Sequence, residues 1–521
     1  MSIVLTALSS VLAVCVCITL TRCFHMLQLN SYFNSRYFDY LKGEFTFISV
    51  CSAFFGIITA VACLVSPVAA LIIGMIVNGV RIWYTVIAHK GAKKRLVFTA
   101  RVKRMYLTAA VLSLILILLG TLFPSAQLII ICVQCVFIIF SPLFAMLINL
   151  INAPLEGAFR HYYINDAKKI LKNHNKMTVI GLTGSYGKTS TKHILARMLS
   201  EKYNVCATPG GINTPLGIVR AIRENLKPAD EVFIVEMGAK KLYDIDEICR
   251  LVNPDTGIIT SIGPQHLNTF GSIENVQKTK FELADAVKKN GGRMYLNIDS
   301  ELIADKAKNY DHISYSAKSG DVYADNIRCT KSGLEFDIIA KKRVIPVKAP
   351  LLGMHNVLNI LAAAAVAIDL GLSDTDIKYA VSKLKPTEHR LELKPFVAGS
   401  VLIDDAYNAN PEGSKEAMRV IGSFAPMKRI VVTPGLVELG EKEYECNKQL
   451  GFAAAENADE LIFVGEKRSV PLVEGANEYG FDKEHMTVVK TFKDAYGLLV
   501  NMCDKNTVVI FENDLPDNYA K

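Results

Sequence analysis

The chain has 521 residues, enough for several domains, and 51% of them are apolar, with a mean hydropathy of +0.26. The formal net charge of +8 comes mostly from one basic stretch, and no aromatic-interleaved basic patch accompanies it, which argues against nucleic-acid binding. The 12 cysteines are scattered: Cys132 and Cys135 form a CxxC inside a predicted span, where they read as small apolar residues, and the soluble Cys206, Cys249, Cys329, Cys446 and Cys503 show no ligand spacing and suit a reducing compartment.

The apolar excess lies before residue 150. Residues 3–21, 45–66, 67–84, 107–123 and 127–149 are nearly all apolar, and a membrane-spanning helix needs about 20 such residues. They predict an α-helical membrane domain of about five spans at 1–150. A buried core helix explains one such run but not five in succession. The first run lacks the basic segment that opens a signal peptide. The stretch His89 to Met105 carries Lys90, Lys93, Lys94, Arg95, Arg101, Lys103 and Arg104 and no acid, so the positive-inside rule puts it in the cytoplasm. The turns at Ser66-Pro67 and Pro124-Ser125 and the N-terminus then face outside. Everything after residue 150 is cytoplasmic. The predicted location is the plasma membrane, with the lipid bilayer as a partner.

Residues 151–175 read as a juxtamembrane linker, with Phe159, Tyr162, Ile164, Ile170 and Leu171 among basic residues, as suits a helix near the membrane surface. Strand and helix signals then alternate. Predicted strands are Met177–Gly181, Glu231–Glu236, Thr256–Ser261 and Arg293–Asn297; predicted helices are Lys192–Lys202, Pro215–Asn225 and Ile245–Leu251. This rhythm predicts a doubly wound α/β domain over 176–386, closed by a strand-like insert at Val322 to Val347 and an alanine-rich helix at Val357 to Leu370. A second α/β rhythm, over 387–521, predicts a Rossmann-like domain. Its strands are Ser400–Asp404, Arg429–Thr433, Glu460–Val464 and Thr507–Phe511, and its helices Ser414–Ile421, Glu443–Glu456 and Lys493–Met502.

The run Gly181 to Ser190, Gly-Leu-Thr-Gly-Ser-Tyr-Gly-Lys-Thr-Ser, joins the first of these strands to the first helix. A glycine-bearing turn there gathers backbone N–H groups into a cradle for phosphate oxygens. Gly184, Ser185, Tyr186 and Gly187 form the turn. Lys188 can reach the outer phosphates, and the hydroxyls of Thr189 and Ser190 follow, Thr189 able to ligate Mg²⁺. The pattern departs from a strict P-loop, because Leu182 stands where that motif has glycine. ATP is the expected nucleotide. Glu236 ends a strand, where a carboxylate can hold Mg²⁺ or be an ordinary strand-end acid. His266 can ligate a second cation or sit hydrogen-bonded in a loop. Asn356 and Asn359 lie three apart on one helix face, able to read a base edge or to cap the helix. Ile403 to Pro411 places acids and amides at a strand-to-loop transition.

Taken in order, these motifs resemble the Mur ligase family, most closely its D-alanyl-D-alanine-adding branch. The resemblance spans roughly 176–521. It rests on Thr-Gly-Ser-Tyr-Gly-Lys-Thr-Ser (183–190), Val-Glu-Met-Gly-Ala (235–239), Gln-His-Leu-Asn-Thr-Phe-Gly-Ser (265–272), Lys-Thr-Lys-Phe-Glu (278–282), Gly-Met-His-Asn-Val-Leu-Asn (353–359), His-Arg-Leu-Glu (389–392), Asp-Asp-Ala-Tyr-Asn-Ala-Asn-Pro (404–411) and Val-Glu-Leu-Gly (437–440). It implies an ATP-dependent amide-bond ligase of cell-wall synthesis. An acceptor carboxylate takes the γ-phosphoryl group, and an amine then displaces phosphate from the acyl phosphate. It implies two Mg²⁺ sites, with Thr189 and Glu236 at one and His266 at the other. It matches Lys280 to the family's carbamoylated lysine, with a surface lysine or a register shift to Lys278 as the plainer reading. Asn356, Asn359, Arg390 and Asp404 fall to the nucleotide. Asn213, Thr214, Asn408, Asn410 and Pro411 fall to the substrates, a cell-envelope precursor and an amino acid or D-Ala-D-Ala-like amine. The departure is at the front, where the family's sugar-nucleotide domain gives way to apolar runs. A lipid-linked acceptor or a plain membrane anchor follows from that. The full set of Lys188, Thr189, Glu236, His266 and Lys280 argues against a scaffold with a dead site, and two other readings stand beside the ligase. One is a membrane transporter or sensor driven by a P-loop, which the near-absence of intramembrane charge disfavours. The other is a folylpolyglutamate-type ligase.

Overall fold

A computed structural model describes residues 2–44, 57–58, 61–62, 66, 68–70, 72–73, 75–76, 80, 96–174, 176–265, 267–330, 333–406, 409–437 and 439–513. The chain forms two compact units, Met1–Tyr162 and Tyr163–Lys521.

The first unit is helical. Among the described residues, three helices are long and apolar enough to cross a membrane: Ile3–Leu29, Ala100–Leu122 and Ser141–Asn173. The predicted spans 45–66 and 67–84 lie almost wholly outside the described residues, as does the turn at Ser66-Pro67 apart from Ser66. The predicted span 127–149 is corrected. A short helix Gln127–Ile139 ends at Phe140, and a new helix begins at Ser141. Pro142 explains the break, since it has no N–H to donate and its ring crowds the carbonyl four residues back. The new helix runs on to Asn173 and so takes in most of the predicted linker. Leu8, Leu12, Leu20, Phe24 and Leu27 pack with Met105, Ala109, Ile131, Cys135, Phe144 and Ile148. Buried amides find partners in other helices. Gln134 and Ser9 exchange hydrogen bonds (Ser9 Oγ to Gln134 Oε1, 3.0 Å; Gln134 Nε2 to Ser9 O, 3.2 Å), and Asn152 Nδ2 donates to Thr108 Oγ1 at 3.0 Å. Such a group left unpaired away from water costs several kcal/mol, so these bonds fix which helix faces meet.

Among the described residues, the second unit holds two sheets. The first has nine strands: β1 (Thr178–Thr183), β2 (Val205–Ala207), β3 (Val232–Glu236), β4 (Thr256–Ile259), β5 (Arg293–Asn297), β6 (His312–Ser316), β7 (Val322–Thr330), β8 (Gly333–Ala340) and β9 (Arg343–Ala349). Their order is β2-β3-β1-β4-β5-β6-β7-β8-β9. Pairing is parallel from β2 through β7 and antiparallel across β7, β8 and β9. The strand-like insert is thus a three-stranded antiparallel extension of the parallel sheet. The alanine-rich helix, His355–Asp369, lies in the same core as Leu195 and Met198 of the helix Lys188–Leu199. Ala362, Ala363, Ala364 and Ala365 are all buried there, and their small side chains allow close helix packing.

The second sheet is β10 (Glu392–Pro395), β11 (Val401–Asp405), β12 (Lys428–Thr433), β13 (Glu460–Val464), β14 (Met486–Val489) and β15 (Thr507–Glu512), in the order β10-β11-β15-β12-β13-β14. All pairs are parallel except β10 with β11. The sequence reading missed β2, β6, β10 and β14. Each is short, and β10 and β14 are partly exposed edge strands without a long apolar run.

Candidate active site

Strand β1 runs through Thr183, and the following helix starts at Lys188 rather than Lys192, so the glycine turn is only Gly184 to Gly187. Two of its positions admit no side chain. Gly184 has φ +154°, and a Cβ there would stand 2.0 Å from Thr260 Oγ1; Gly187 has φ +80°, and its Cβ would stand 2.6 Å from Asn359 Oδ1. The turn is fastened to the segment after β4. Ser185 N donates to Ser261 O at 2.8 Å, Tyr186 N to Ser261 Oγ at 2.9 Å, and the Tyr186 hydroxyl to Pro264 O at 3.0 Å. Buried Ser185 takes a hydrogen bond from Gly263 N at 3.0 Å. Ser185 and Tyr186 therefore hold the cradle's shape with their side chains. Lys188 folds over it, donating to Gly184 O at 2.6 Å and Ser185 O at 3.0 Å. Burial pushes its ammonium down to about 8, with Glu236 opposing and Arg390 adding to the shift. Ser190 sits half-buried on the first helical turn.

Glu236 closes β3 and is 1% exposed. Its Oε1 accepts from Thr189 Oγ1 and from Asn213 Nδ2, both at 3.2 Å, and its Oε2 from Lys192 Nζ at 3.0 Å. Lys192 was not among the expected site residues. It is 0% exposed and also donates to Gly210 O. One sequence signal could have found it: a lysine on the apolar face of the phosphate-loop helix, among Ile194, Leu195 and Met198, one turn beyond Lys188. Thr214 holds the N-cap position of the helix Pro215–Asn225.

Lys280 lies on the helix Ile273–Lys289 and is 2% exposed, whereas Lys278 is exposed. The reading of Lys280 as a surface lysine is therefore corrected: the helix turns this position toward the apolar side that carries Val276, Phe281 and Leu283. Burial, with the charge of Lys188, pushes its amine well below the usual lysine value, against Glu282 and Asp244. Asn356 and Asn359 are buried and joined, Asn359 Nδ2 to Asn356 Oδ1 at 2.9 Å, and Thr191 Oγ1 donates to Asn359 Oδ1 at 3.1 Å. They thus stand beside the cradle. His266 and Asn408 lie outside the described residues.

The last domain contributes acids and one central cation. Arg390 sits between two residues in the left-handed region, His389 (φ +58°) and Leu391 (φ +45°). Its charge acts on Lys188 and on the acids Asp405 and Glu512. Asp404 is engaged elsewhere, its Oδ2 2.7 Å from His389 Nδ1 and 2.7 Å from Lys394 Nζ. His389, Glu392 and Asp404 have the chemistry of a metal cluster, but Lys394 already bridges Glu392 at 2.8 Å and Asp404 at 2.7 Å. Asp405 and Glu512 are both buried, and Ser414 Oγ donates to Glu512. Asn410 caps the helix Pro411–Gly422, accepting from Gly413 N at 3.0 Å, and Pro411 is that helix's first residue. The structure therefore gathers Gly184–Ser190, Asn213, Glu236, Asn356 and Asn359 around one cradle, and the charges of Lys280 and Arg390 interact with that of Lys188. Asp404, Asn410, Pro411 and Thr214 are tied by their own local bonds.

The hard oxygen donors of Thr189 and Glu236, beside a cradle that a Cβ would fill, fit a Mg²⁺-nucleotide. Comparison with known proteins points the same way. Residues 182–367 match the Mur ligase middle domain, and 389–512 the Mur ligase, glutamate ligase domain. The chain is 30% identical over 338 residues to the UDP-N-acetylmuramoyl-tripeptide–D-alanyl-D-alanine ligase of Bacillus subtilis, covering 64% of this chain and 72% of that protein. It is similar to the crystal structure of MurF from Acinetobacter baumannii, with TM-score 0.62 and 26% identity over 69% of this chain and 78% of that one. It is also similar to the MurF ligase of Thermotoga maritima in complex with ADP, with TM-score 0.60 and 26% identity over 68% and 80% of the two chains.

Proposed function

The chain belongs to the Mur ligase family and is an ATP-dependent carboxylate–amine ligase, and from that premise we propose that it works at the membrane, joining the carboxylate of a muramoyl-peptide precursor to an amino acid or D-Ala-D-Ala-like amine. The observation that carries the chemistry is the Glu236 carboxylate, 3.2 Å from the Thr189 hydroxyl at the edge of a glycine cradle crossed by Lys188. In this reading the cradle's N–H groups and Lys188 take the phosphates, Thr189 and Glu236 hold one Mg²⁺, and His266 and Lys280 serve a second. Mg²⁺ supplies positive charge against the oxygens of the transferring phosphoryl group. Asn356 and Asn359 lie to the nucleotide side. Arg390 brings its charge toward the phosphates from the last domain, and Asp404 serves the ribose. Asn213, Thr214, Asn408, Asn410 and Pro411 border the acceptor and the amine.

Lys280 supports the carbamate assignment. A buried lysine whose pKa is driven down presents a neutral amine, the form that adds to CO₂. A nitrogen–carbon bond forms, one proton leaves, and the lysine becomes an anion suited to a metal site.

The membrane part of the reading rests on the long apolar helices Ile3–Leu29, Ala100–Leu122 and Ser141–Asn173, which precede the matched region. They would span the plasma membrane, with the N-terminus outside and the catalytic unit facing cytosolic ATP. We assign them a role in presenting a lipid-linked acceptor. One comparison tests this: full-length protein in nanodiscs receives either a lipid-linked or a nucleotide-linked muramoyl peptide, with ATP and D-Ala-D-Ala, and product is weighed by mass spectrometry. Faster conversion of the lipid-linked acceptor is expected. Equal conversion of both would reduce the helices to an anchor.

A further inference from the structure

Lys192 is the one fully buried lysine of the phosphate-loop helix, and the reaction as described gives it no part. It has two partners. Its Nζ donates to Glu236 Oε2 at 3.0 Å and to the carbonyl of Gly210. Gly210 belongs to the loop that follows β2 and carries Asn213 and Thr214. That loop is fixed to β3 at several further points. Thr208 N donates to Ile234 O at 3.0 Å, Glu236 N to Thr208 Oγ1 at 3.2 Å, and Asn213 Nδ2 to Glu236 Oε1 at 3.2 Å. Gly238 N donates to Asn213 O at 2.8 Å, and a Cβ on Gly238 would stand 2.6 Å from the Asn213 amide. The loop therefore closes on Glu236 from both sides, by Asn213 and by Lys192. A charged lysine buried without a salt-bridge partner would be strongly destabilising, so its retention here depends on Glu236.

We propose that Lys192 is a positioning residue that ties the Thr208–Thr214 loop to Glu236 and, as a cation on the same carboxylate, holds down that carboxylate's affinity for a divalent ion. This rests on the assignment of Glu236 to Mg²⁺. The carboxylate then carries two loads. One oxygen is shared by Thr189 and Asn213, and the other is held by Lys192, so an arriving cation meets a ligand already oriented and partly neutralised. Two consequences follow from one side chain. The charge weakens ion binding, and the hydrogen bonds set the loop.

Two substitutions separate these effects. Lys192→Gln removes the charge and keeps a donor for Gly210 O; Lys192→Met removes both. The probe is Mn²⁺ alone, titrated into the full chain in nanodiscs and followed by electron paramagnetic resonance, with melting temperature as the folding control. Mn²⁺ binding should tighten roughly tenfold or more in both variants, because a like charge on the same carboxylate has been removed. The turnover rate should fall further in Lys192→Met than in Lys192→Gln, with KM for ATP little changed in either. A lysine that merely fills space would lower the melting temperature and leave Mn²⁺ affinity as it was. Unchanged or weakened Mn²⁺ binding in Lys192→Gln overturns the proposal, and that variant, which keeps its hydrogen bond, decides the matter if Lys192→Met fails to fold. Glu236→Gln distinguishes the two levels. If wild-type Mn²⁺ binding survives it, the metal assignment fails and this inference with it. If binding is lost with Glu236 yet indifferent to Lys192, only the inference fails.

Discussion

The two α/β domains bury charge at the same place, the carboxyl ends of parallel strands, but with opposite sign. The middle domain gathers lysines: Lys188, the first residue of the helix after the glycine turn, and Lys192 one helical turn on, both beside Glu236, and Lys280 from the helix Ile273–Lys289. The last domain gathers acids, Asp405 at the end of β11 and Glu512 at the end of β15, around Arg390. Burial drives the two sets apart in the same sense, toward neutrality, so lysine values fall and the values of Asp405 and Glu512 rise. The lesson is a division of labour. The lysines proposed to meet phosphate lie in the middle domain, and the charge of Arg390 in the last domain bears both on the acids Asp405 and Glu512 and on Lys188.

Removing the cations should break that division most. Lys188→Ala should cost about 10²–10³ in turnover, roughly 3–4 kcal/mol, measured as amine-dependent ADP release. Near-normal turnover would mean that the cradle does not grip the transferred phosphate. Lys280→Ala should be inactive and still folded by circular dichroism, and added short-chain carboxylates should restore part of the activity. Rescue by carboxylates but not by amines is the signature of a lost anion. On the acidic side, Arg390→Ala should be milder. Loss of one charge-assisted contact is worth about 1.5–3 kcal/mol, to be read in kcat/KM for ATP.

A pH profile sharpens the comparison. With its pKa at about 8, Lys188 in the free enzyme loses its proton as pH rises through that value, so kcat/KM for ATP should fall on the alkaline side of about 8. Lys188→Arg should move that limb beyond the measurable range. The acidic domain should give the smallest effect, and on stability alone. Burial and the neighbouring Asp405 raise Glu512 above its usual 4.5, so the folded state binds the proton more tightly than the unfolded one. That stabilisation is complete below the unfolded value and declines as pH rises toward the folded one. Glu512→Gln should flatten this decline in a melting series upward from about pH 4.5.

The fold was legible wherever the signal is local. The helix Pro215–Asn225 and the strands Arg293–Asn297 and Glu460–Val464 have the predicted bounds, because a proline start or a bounded apolar run marks them. The span 127–149 misled because hydropathy averages over Pro142, which breaks the helix without lowering the mean. The cradle was legible from the spacing of Gly184, Gly187 and Lys188. Its tuning was not. Lys192 is buried only because Glu236, 44 positions away, neutralises it, and Glu512 meets Ser414 across 98 positions. Pairings of that kind arise from strand order, and no local pattern reports them. The antiparallel extension β7 to β9 shows the same limit: its strands were visible as an insert, and their place at the sheet's edge was not.

The central claim is that nucleotide cleavage is coupled to amide-bond formation, and the most direct test is the substrate dependence of ADP release. Full-length protein in nanodiscs is given Mg²⁺-ATP with a muramoyl peptide, with D-Ala-D-Ala, or with both. Sustained ADP release only when both are present, with one amide formed per ADP, is the predicted result. Steady ADP release that ignores acceptor and amine would contradict the account and point instead to a P-loop transporter or sensor.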